Sequence, residues 1–386
     1  MKLVIPEAKR IWDLPIRVFH WLLVSAFILA WLTQGEDRYL DIHVFAGYLI
    51  LGLFLFRIGW GFWGSHYACF NSFACGWRSV WRYLTILLTP QRQHFIGHNP
   101  IGGWAILLIL GLGLVVTLTG LLTLGGEEQH GPLAGLISFA WGDIGHECHE
   151  ILAWLMLGLI GIHIAGVLVE SRLHQENLIK AMITGYKNTS TEDTASVANH
   201  SRLAISLILV VLSSGGSYFY GYFTQTAEHP YLPFIGPQLP DNATWREVCG
   251  ECHLAYHPTL LPARSWQRLL NEQHQHFEED LDLDAETLAE LRQFASDNAA
   301  ETHLTEPAWQ IEQTTPLNQA PLRITATAYW QEQHEEIPKQ IWQHPLVKFK
   351  GHCNACHLDA EQGTFEDAAM RLPQHSDFSQ LSTKPH

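Results

Sequence analysis

Cys148-His149-Glu150-Ile151-Leu152-Ala153-Trp154-Leu155-Met156-Leu157-Gly158-Leu159-Ile160-Gly161-Ile162-His163-Ile164-Ala165-Gly166-Val167-Leu168-Val169-Glu170 is the stretch on which the fold turns. Its apolar run exceeds the ~20 residues that a helix needs to cross a bilayer. It also carries His149 and His163, and an ionisable side chain inside a membrane helix is costly enough to imply function. Fourteen residues at ~100° each fall about 40° short of four turns, with about 21 Å of rise. The two imidazoles therefore share one face of the helix at two depths.

Working outward, apolar stretches near 18–34, 43–63, 101–124 and 203–222 complete a set of five expected spans. The first does not read as a cleavable signal, because His20 and Trp21 lie within it and no small-residue cleavage site follows. Trp12, Trp21, Trp31, Trp60, Trp63, Trp104, Trp141 and Trp154 fall mostly near span ends, as interfacial anchors do. Basic residues sort to alternate connections. Lys2, Lys9, Arg10 and Arg17 precede the first span, Arg57, Arg78, Arg82 and Arg92 surround the second-to-third connection, and Arg172, Lys180, Lys187 and Arg202 fill the fourth-to-fifth. The other connections carry Glu36, Asp37, Asp41, Glu127, Glu128, Asp143 and Glu147. The positive-inside rule then predicts a cytoplasmic N-terminus and places residue 223 outside, in the periplasm of a bacterium.

With that orientation, His20 opens the first span on the cytoplasmic side and His43 opens the second on the periplasmic side. The fourth span runs inward, so depth pairs His43 with His149 and His20 with His163. Two stacked bis-imidazole b haems in a four-helix bundle require ligands arranged in this way. His146 is turned about 100° off the face of His163 and is the weaker rival to His149. His66, His94, His98 and His130 are expected in loops as ordinary polar side chains. Arg17 and Arg57 are candidates to pair with propionates of the inner haem, with positive-inside anchoring as the alternative.

Beyond residue 222 the chain changes character. From residue 223 onward there are 24 Asp and Glu against 10 Lys and Arg, so nearly all of the overall charge of −15 lies there. Such a surface repels nucleic acid and anionic headgroups and suits a basic partner. Two motifs stand in this half, Cys249-Gly250-Glu251-Cys252-His253 and Cys353-Asn354-Ala355-Cys356-His357. In Cys-x-x-Cys-His the thiols form thioethers to a haem's vinyl groups and the imidazole becomes an axial iron ligand. A zinc knuckle would usually want further ligand pairs. Cys69, Cys75 and Cys148 share no spacing that makes a disulfide framework.

The four methionines are Met1, Met156, Met182 and Met370, so none lies between the start of the acidic half and the second motif. A His sixth ligand, and with it a low potential, is expected. His257 is too close to His253, leaving His274, His276 and His303 for the first c haem; His352 adjoins Cys353, leaving His334 and His344 for the second. The clearest helix in this half is expected over 283–300, capped by Asp284, with others near 265–277 and 329–336, and 223–244 reads as a Pro-rich linker. No Ser-His-Asp set, paired catalytic carboxylates or phosphate loop is recognisable. The acidic run around Asp280, Asp282 and Asp284 reads as a solvated face.

Several runs carry a resemblance. Arg17-Val18-Phe19-His20-Trp21, His43-Val44-Phe45-Ala46-Gly47-Tyr48, Phe56 to Phe62, Gly97-His98-Asn99-Pro100-Ile101-Gly102-Gly103, His149-Glu150-Ile151-Leu152-Ala153 and Ala181-Met182-Ile183-Thr184-Gly185 resemble the bacterial cytochrome b561 and nickel-iron hydrogenase b-type cytochrome family over residues 18–187. The resemblance implies a four-helix, two-haem membrane core with ligands His20, His43, His149 and His163. Its members accept electrons from a partner dehydrogenase or exchange them with quinone, and one relative is a superoxide oxidase. Residues 245–372 resemble the periplasmic dihaem cytochrome c family, through Cys249 to His253, Leu261 to Trp266, Pro321 to Thr325, His334 to Ile337 and Cys353 to Gly363. That resemblance implies bis-His ligation by His276 and His334, and transfer to a small soluble cytochrome c.

The expectation is thus an all-α membrane protein: a cytochrome b561-like domain over 1–190, a fifth tethering helix over 191–222, a linker over 223–244, and a mostly helical, loop-rich dihaem domain over 245–386. It would sit in a bacterial inner membrane with two non-covalent b haems, two covalent c haems, and ubiquinone or menaquinone as a further cofactor. Electrons would run from the quinone pool or a membrane-associated dehydrogenase to a soluble periplasmic cytochrome c, with quinol:cytochrome c oxidoreductase activity as the enzymatic form. A quinol-linked superoxide oxidase with an appended cytochrome c is the alternative.

Overall fold

A computed structural model describes residues 7–35, 39–87, 95–189, 197–226, 231 and 236–373. Lys2, Glu36, Asp37, Arg92 and His94 lie outside the described residues. The chain divides into two compact units, Met1–Gly120 with His146–Tyr231 and Leu121–Gly145 with Leu232–His386.

In the first unit, strand β1 (Glu7–Arg10) pairs antiparallel with β2 (Tyr186–Thr189). The helices are α1 (Leu14–Thr33), α2 (Leu40–Trp63), α3 (Trp77–Leu87), α4 (Pro100–Gly126), α5 (Phe139–Leu173), α6 (Leu178–Thr184), α7 (Ser201–Tyr218) and α8 (Tyr220–Thr224), with α4 and α5 running on into the second unit. Among the described residues five of them, α1, α2, α4, α5 and α7, are long and apolar enough to cross a membrane. Leu32, Ile162 and Leu212 are about two-thirds or more exposed on these helices, an apolar surface that a bilayer covers. The protein is a membrane protein.

Helix ends follow local chemistry. Asp13 is fully buried; its Oδ1 accepts from the Ile16 N–H at 2.9 Å, capping α1, while Oδ2 accepts from Trp60 Nε1 at 3.0 Å and ties α1 to α2. Gly185 ends α6 with φ +87°, and a Cβ there would lie 2.6 Å from the Trp12 carbonyl oxygen, so only glycine fits. Trp12 is buried in the core with Ile11, Ile16, Phe19 and Leu53, and is not the interfacial anchor expected. The fourth span begins at Phe139, ahead of 148, because Asp143, His146 and Glu147 extend the helix without interrupting it. The fifth stops at Tyr218 and is followed by a separate turn, so 203–222 is not one helix.

The second unit contains α9 (Ala243–Gly250), α10 (Ala263–Asn271), α11 (Ala285–Asp297), α12 (Glu306–Thr314), α13 (Ala328–His334) and α14 (Lys339–Trp342). Trp245, Leu261, Trp266, Leu269, Leu270 and Leu291 form its core. Asp284 caps α11 as expected, accepting from the N–H groups of Glu286 and Thr287. The helix expected over 265–277 ends at Asn271, where the chain turns through a short 3-10 segment. The connection between the third and fourth spans belongs to this unit too, and Phe139 stacks on Trp309 with centroids 4.8 Å apart.

Candidate functional site

Two imidazole nitrogens on opposite sides of one metal, each about 2.0 Å away, set their ring centroids about 6.3 Å apart. That distance tests every predicted pair. His43 on α2 and His149 on α5 have centroids 6.0 Å apart, with planes at 77°. The Nδ1 of His43 lies 2.9 Å from the Ala30 carbonyl oxygen, and that of His149 lies 2.9 Å from the Val116 carbonyl oxygen. A carbonyl can only accept, so Nδ1 carries the proton and Nε2 keeps the lone pair that a metal takes. Thr119 Oγ1 also approaches His149 Nδ1 at 3.3 Å. Gly120 makes room for this ring: a Cβ there would meet His149 Cε1 at 3.0 Å.

At the other depth, His20 and His163 do not reach ring contact, but His163 lies near enough for its charge to act on His20. The Nδ1 of His20 is shielded from solvent without a hydrogen-bond partner, and its ring meets Trp21 edge-on at 5.1 Å. Arg57 is buried, its guanidinium 5.0 Å above the Phe70 ring and 5.7 Å from that of Phe73, with Nη1 unpartnered. A buried, unsatisfied guanidinium suits a haem propionate. His98 is no ordinary loop histidine. Its ring is flanked by Trp12 and Phe73, each at 4.7 Å, and its Nδ1 is orphaned. Burial first, then Arg57 and Lys187, lower its pKa to about 3, so it stays neutral beside the inner pair.

In the second unit, α9 ends at the first motif. His253 and His276 have centroids 6.4 Å apart and planes at 27°, while His334 and His357 are 6.2 Å apart at 54°. His253 Nδ1 engages the Leu254 carbonyl oxygen at 2.7 Å and His334 Nδ1 that of Trp330 at 2.8 Å. Burial lowers the pKa of His276, His334 and His357, keeping the imidazoles neutral as metal ligation requires. Burial pushes the Cys249 thiol up to about 12 and the Cys353 thiol up to about 11, opposite to what a redox dithiol needs. Of the rivals, His274 instead forms an exposed contact with Asp280 at 2.7 Å, His303 lies 3.6 Å from Glu312, and His344 accepts from the Leu346 N–H at 3.3 Å.

Several residues of this site carried no signal in the sequence. Phe277 and Glu278 are left-handed, at φ +53° and +81°, inside a turn closed by hydrogen bonds between His276 and Glu279. Strain of that kind is kept where the fold needs a particular direction, here that of His276. Arg323 covers Phe277 at 4.3 Å. Tyr256, stacked on His253, donates to the Gly351 carbonyl oxygen at 2.6 Å, joining the first motif to the residues before the second. Behind the second motif, buried Asp359 accepts from Thr364 Oγ1 at 2.8 Å and from the Glu366 N–H at 2.7 Å. Burial and then the Glu128 and Asp359 carboxylates raise the pKa of the Glu366 side chain, so that it holds a proton.

Fold and paired imidazoles define a membrane redox protein with an appended haem-binding unit. Residues 11–185 belong to the prokaryotic cytochrome b561 family and residues 245–365 to the dihaem cytochrome c family, each matched by its family model. Relatives of the first part include a "Probable Ni/Fe-hydrogenase B-type cytochrome subunit" of Azotobacter vinelandii, 25% identical over 47% of this chain and 88% of the relative. A "Probable Ni/Fe-hydrogenase 1 B-type cytochrome subunit" of Escherichia coli K12 is 24% identical over 46% and 90%. For the second part, a dihaem cytochrome c structure from Rhodobacter sphaeroides is 29% identical, covers 33% of this chain and all of that one, and has a TM-score of 0.30. One from Shewanella baltica is 29% identical over 35% and 95%, with a TM-score of 0.29. The chain combines b-type and c-type haem domains for transmembrane electron transfer.

Proposed function

We propose that the protein is a four-haem conduit. His43 with His149 and His20 with His163 hold two b haems; Cys249, Cys252, His253 and His276 hold one c haem, and Cys353, Cys356, His357 and His334 the other. Bound haem supplies the one-electron iron couple. The chain's own residues set the ligand geometry, neutralise propionates through Arg57 and exclude water around the rings. Electrons come from quinol or a membrane-bound dehydrogenase, traverse the b pair, reach the c pair and leave to a soluble, basic cytochrome c that the acidic second part attracts. The N-terminus is cytoplasmic and the c part periplasmic, in a bacterial inner membrane. Residues 1–190 act as the b domain, 191–222 as a tether, 223–244 as a linker and 245–386 as the c domain.

The observation that carries this reading is the recurrence of one spacing, 6.0, 6.4 and 6.2 Å, between rings of His43 and His149, His253 and His276, and His334 and His357. In the purified full chain a pyridine haemochrome spectrum should give equal b and c haem, and quinol or a partner dehydrogenase should reduce both. Failure of every donor to reduce the c haems while the b haems respond would refute the route.

A further inference from the structure

The connection between α2 and α4 holds α3 (Trp77–Leu87), a helix of 11 residues. At ~1.5 Å per residue it is about 17 Å long, too short to cross the ~30 Å hydrocarbon layer, yet it carries large exposed apolar side chains. At ~100° per residue its side chains sort into three sectors. Val80 and Tyr83 are buried on one of them. The Tyr83 hydroxyl lies 3.1 Å from both carboxylate oxygens of Glu170 on α5, and Trp77 meets Trp104 of α4 edge-on with centroids 6.1 Å apart, so α3 is fastened to two spans. About 100° further round, Trp77, Trp81 and Leu84 share an arc of about 60°. They are 62%, 61% and 38% exposed. About 110° beyond them come Arg78 and Arg82, both exposed and one turn apart. Neither guanidinium has an ion-pair or hydrogen-bond partner among the described residues, and the helix contains no acid.

A face fixed to the protein, then an apolar face, then a basic face is the arrangement of a helix that lies in the plane of the membrane interface. Tryptophan suits that depth, because its ring is apolar and its N–H polar. The indoles then enter the acyl layer while the guanidinium forks stay at headgroup level, where their paired N–H groups match phosphodiester oxygens. A zwitterionic headgroup brings its own ammonium and offsets its phosphate. Two arginines with no acid on the helix favour a headgroup of net negative charge. We propose that α3 is an anionic-phospholipid site, binding phosphatidylglycerol or cardiolipin through their phosphodiesters at Arg78 and Arg82, with acyl chains against Trp77, Trp81 and Leu84. A second copy docked on this face about a two-fold axis would bring four arginines together, which like-charge repulsion opposes.

The test uses the full-length protein in phosphatidylcholine nanodiscs doped with a diazirine-bearing phosphatidylglycerol or with the matching diazirine-bearing phosphatidylcholine, and locates the label by peptide mass spectrometry. Peptides of α3 should take the phosphatidylglycerol label about threefold or more over the phosphatidylcholine label. That preference should shrink in about 1 M salt. Arg78→Gln with Arg82→Gln should remove the preference and leave the haemochrome spectrum unchanged, whereas Arg78→Lys with Arg82→Lys should keep most of it, because the positive charge remains. Trp77→Ala with Trp81→Ala should lower labelling by both lipids. Equal labelling of the wild type by the two lipids, or a preference that survives the double Gln exchange, overturns the site. So does displacement of the label by inorganic phosphate, which would make α3 a site for a soluble anion, or crosslinking of α3 to a second copy in place of lipid.

Discussion

The two haem-binding parts solve one geometric problem by opposite means. In the membrane part, the candidate ligands sit on long helices whose register sets direction, and backbone carbonyls of neighbouring helices, Ala30 and Val116, orient the rings of His43 and His149. In the second unit, His276 projects from a turn with two left-handed residues, and His357 lies on an irregular segment and itself forms the isolated bridge with Met370. A non-covalent cofactor must be recognised by a preformed cavity, so rigid helices suit it. A haem joined through two thioethers is held already, and loops can then organise around it.

That contrast can be broken from either side. The largest effect should come from His149→Ala in the full chain: one b haem is lost and both c haems stay attached, as read by the haemochrome spectrum. Loss of c haem too would mean the parts are not separately assembled. Next, His276→Met should raise the midpoint of one c haem by on the order of 100 mV or more in a redox titration, because a thioether favours ferrous iron; an unchanged titration would remove His276 from the ligand set. Gly120→Val should press on the His149 ring and lower b-haem retention on heating by about 1–3 kcal/mol, with the c haems untouched.

Smaller effects should sharpen the picture of the c part. Glu366 holds its proton when folded and releases it when unfolded above the ordinary carboxylate range. The folded state then binds more protons, so stability should fall as pH rises from that range through neutrality. Glu366→Gln should flatten that slope in thermal melts followed at the Soret band, and a slope that persists would place the proton elsewhere. Tyr256→Phe removes the 2.6 Å bond to the Gly351 carbonyl and should cost about 1 kcal/mol in the same melts.

Much of this architecture is legible in the sequence because its signals are local. Bilayer crossing depends on length and hydropathy, so five spans are countable, and helical arithmetic alone puts His149 and His163 on one face. Helix ends are less legible. Asp143, His146 and Glu147 look like a boundary but simply continue α5 beyond its apolar run, and Trp12 resembles an anchor yet fills the core. His98 looks like a solvated loop residue because only the fold brings Trp12 and Phe73, far apart in the chain, to its two sides.

By itself, then, the sequence determined the number of spans, the two Cys-x-x-Cys-His attachment motifs and the acidic character of the second half, all of which depend on composition and short spacing. Only the tertiary structure decided which of the rival imidazoles face His253 and His357, that Tyr256 links the two motifs, that Arg57 is buried without a full set of partners, and that α7 packs against α1. Those outcomes depend on the packing of segments remote in sequence, and no local pattern of residue types encodes the angle at which two helices or a strained turn deliver a ring.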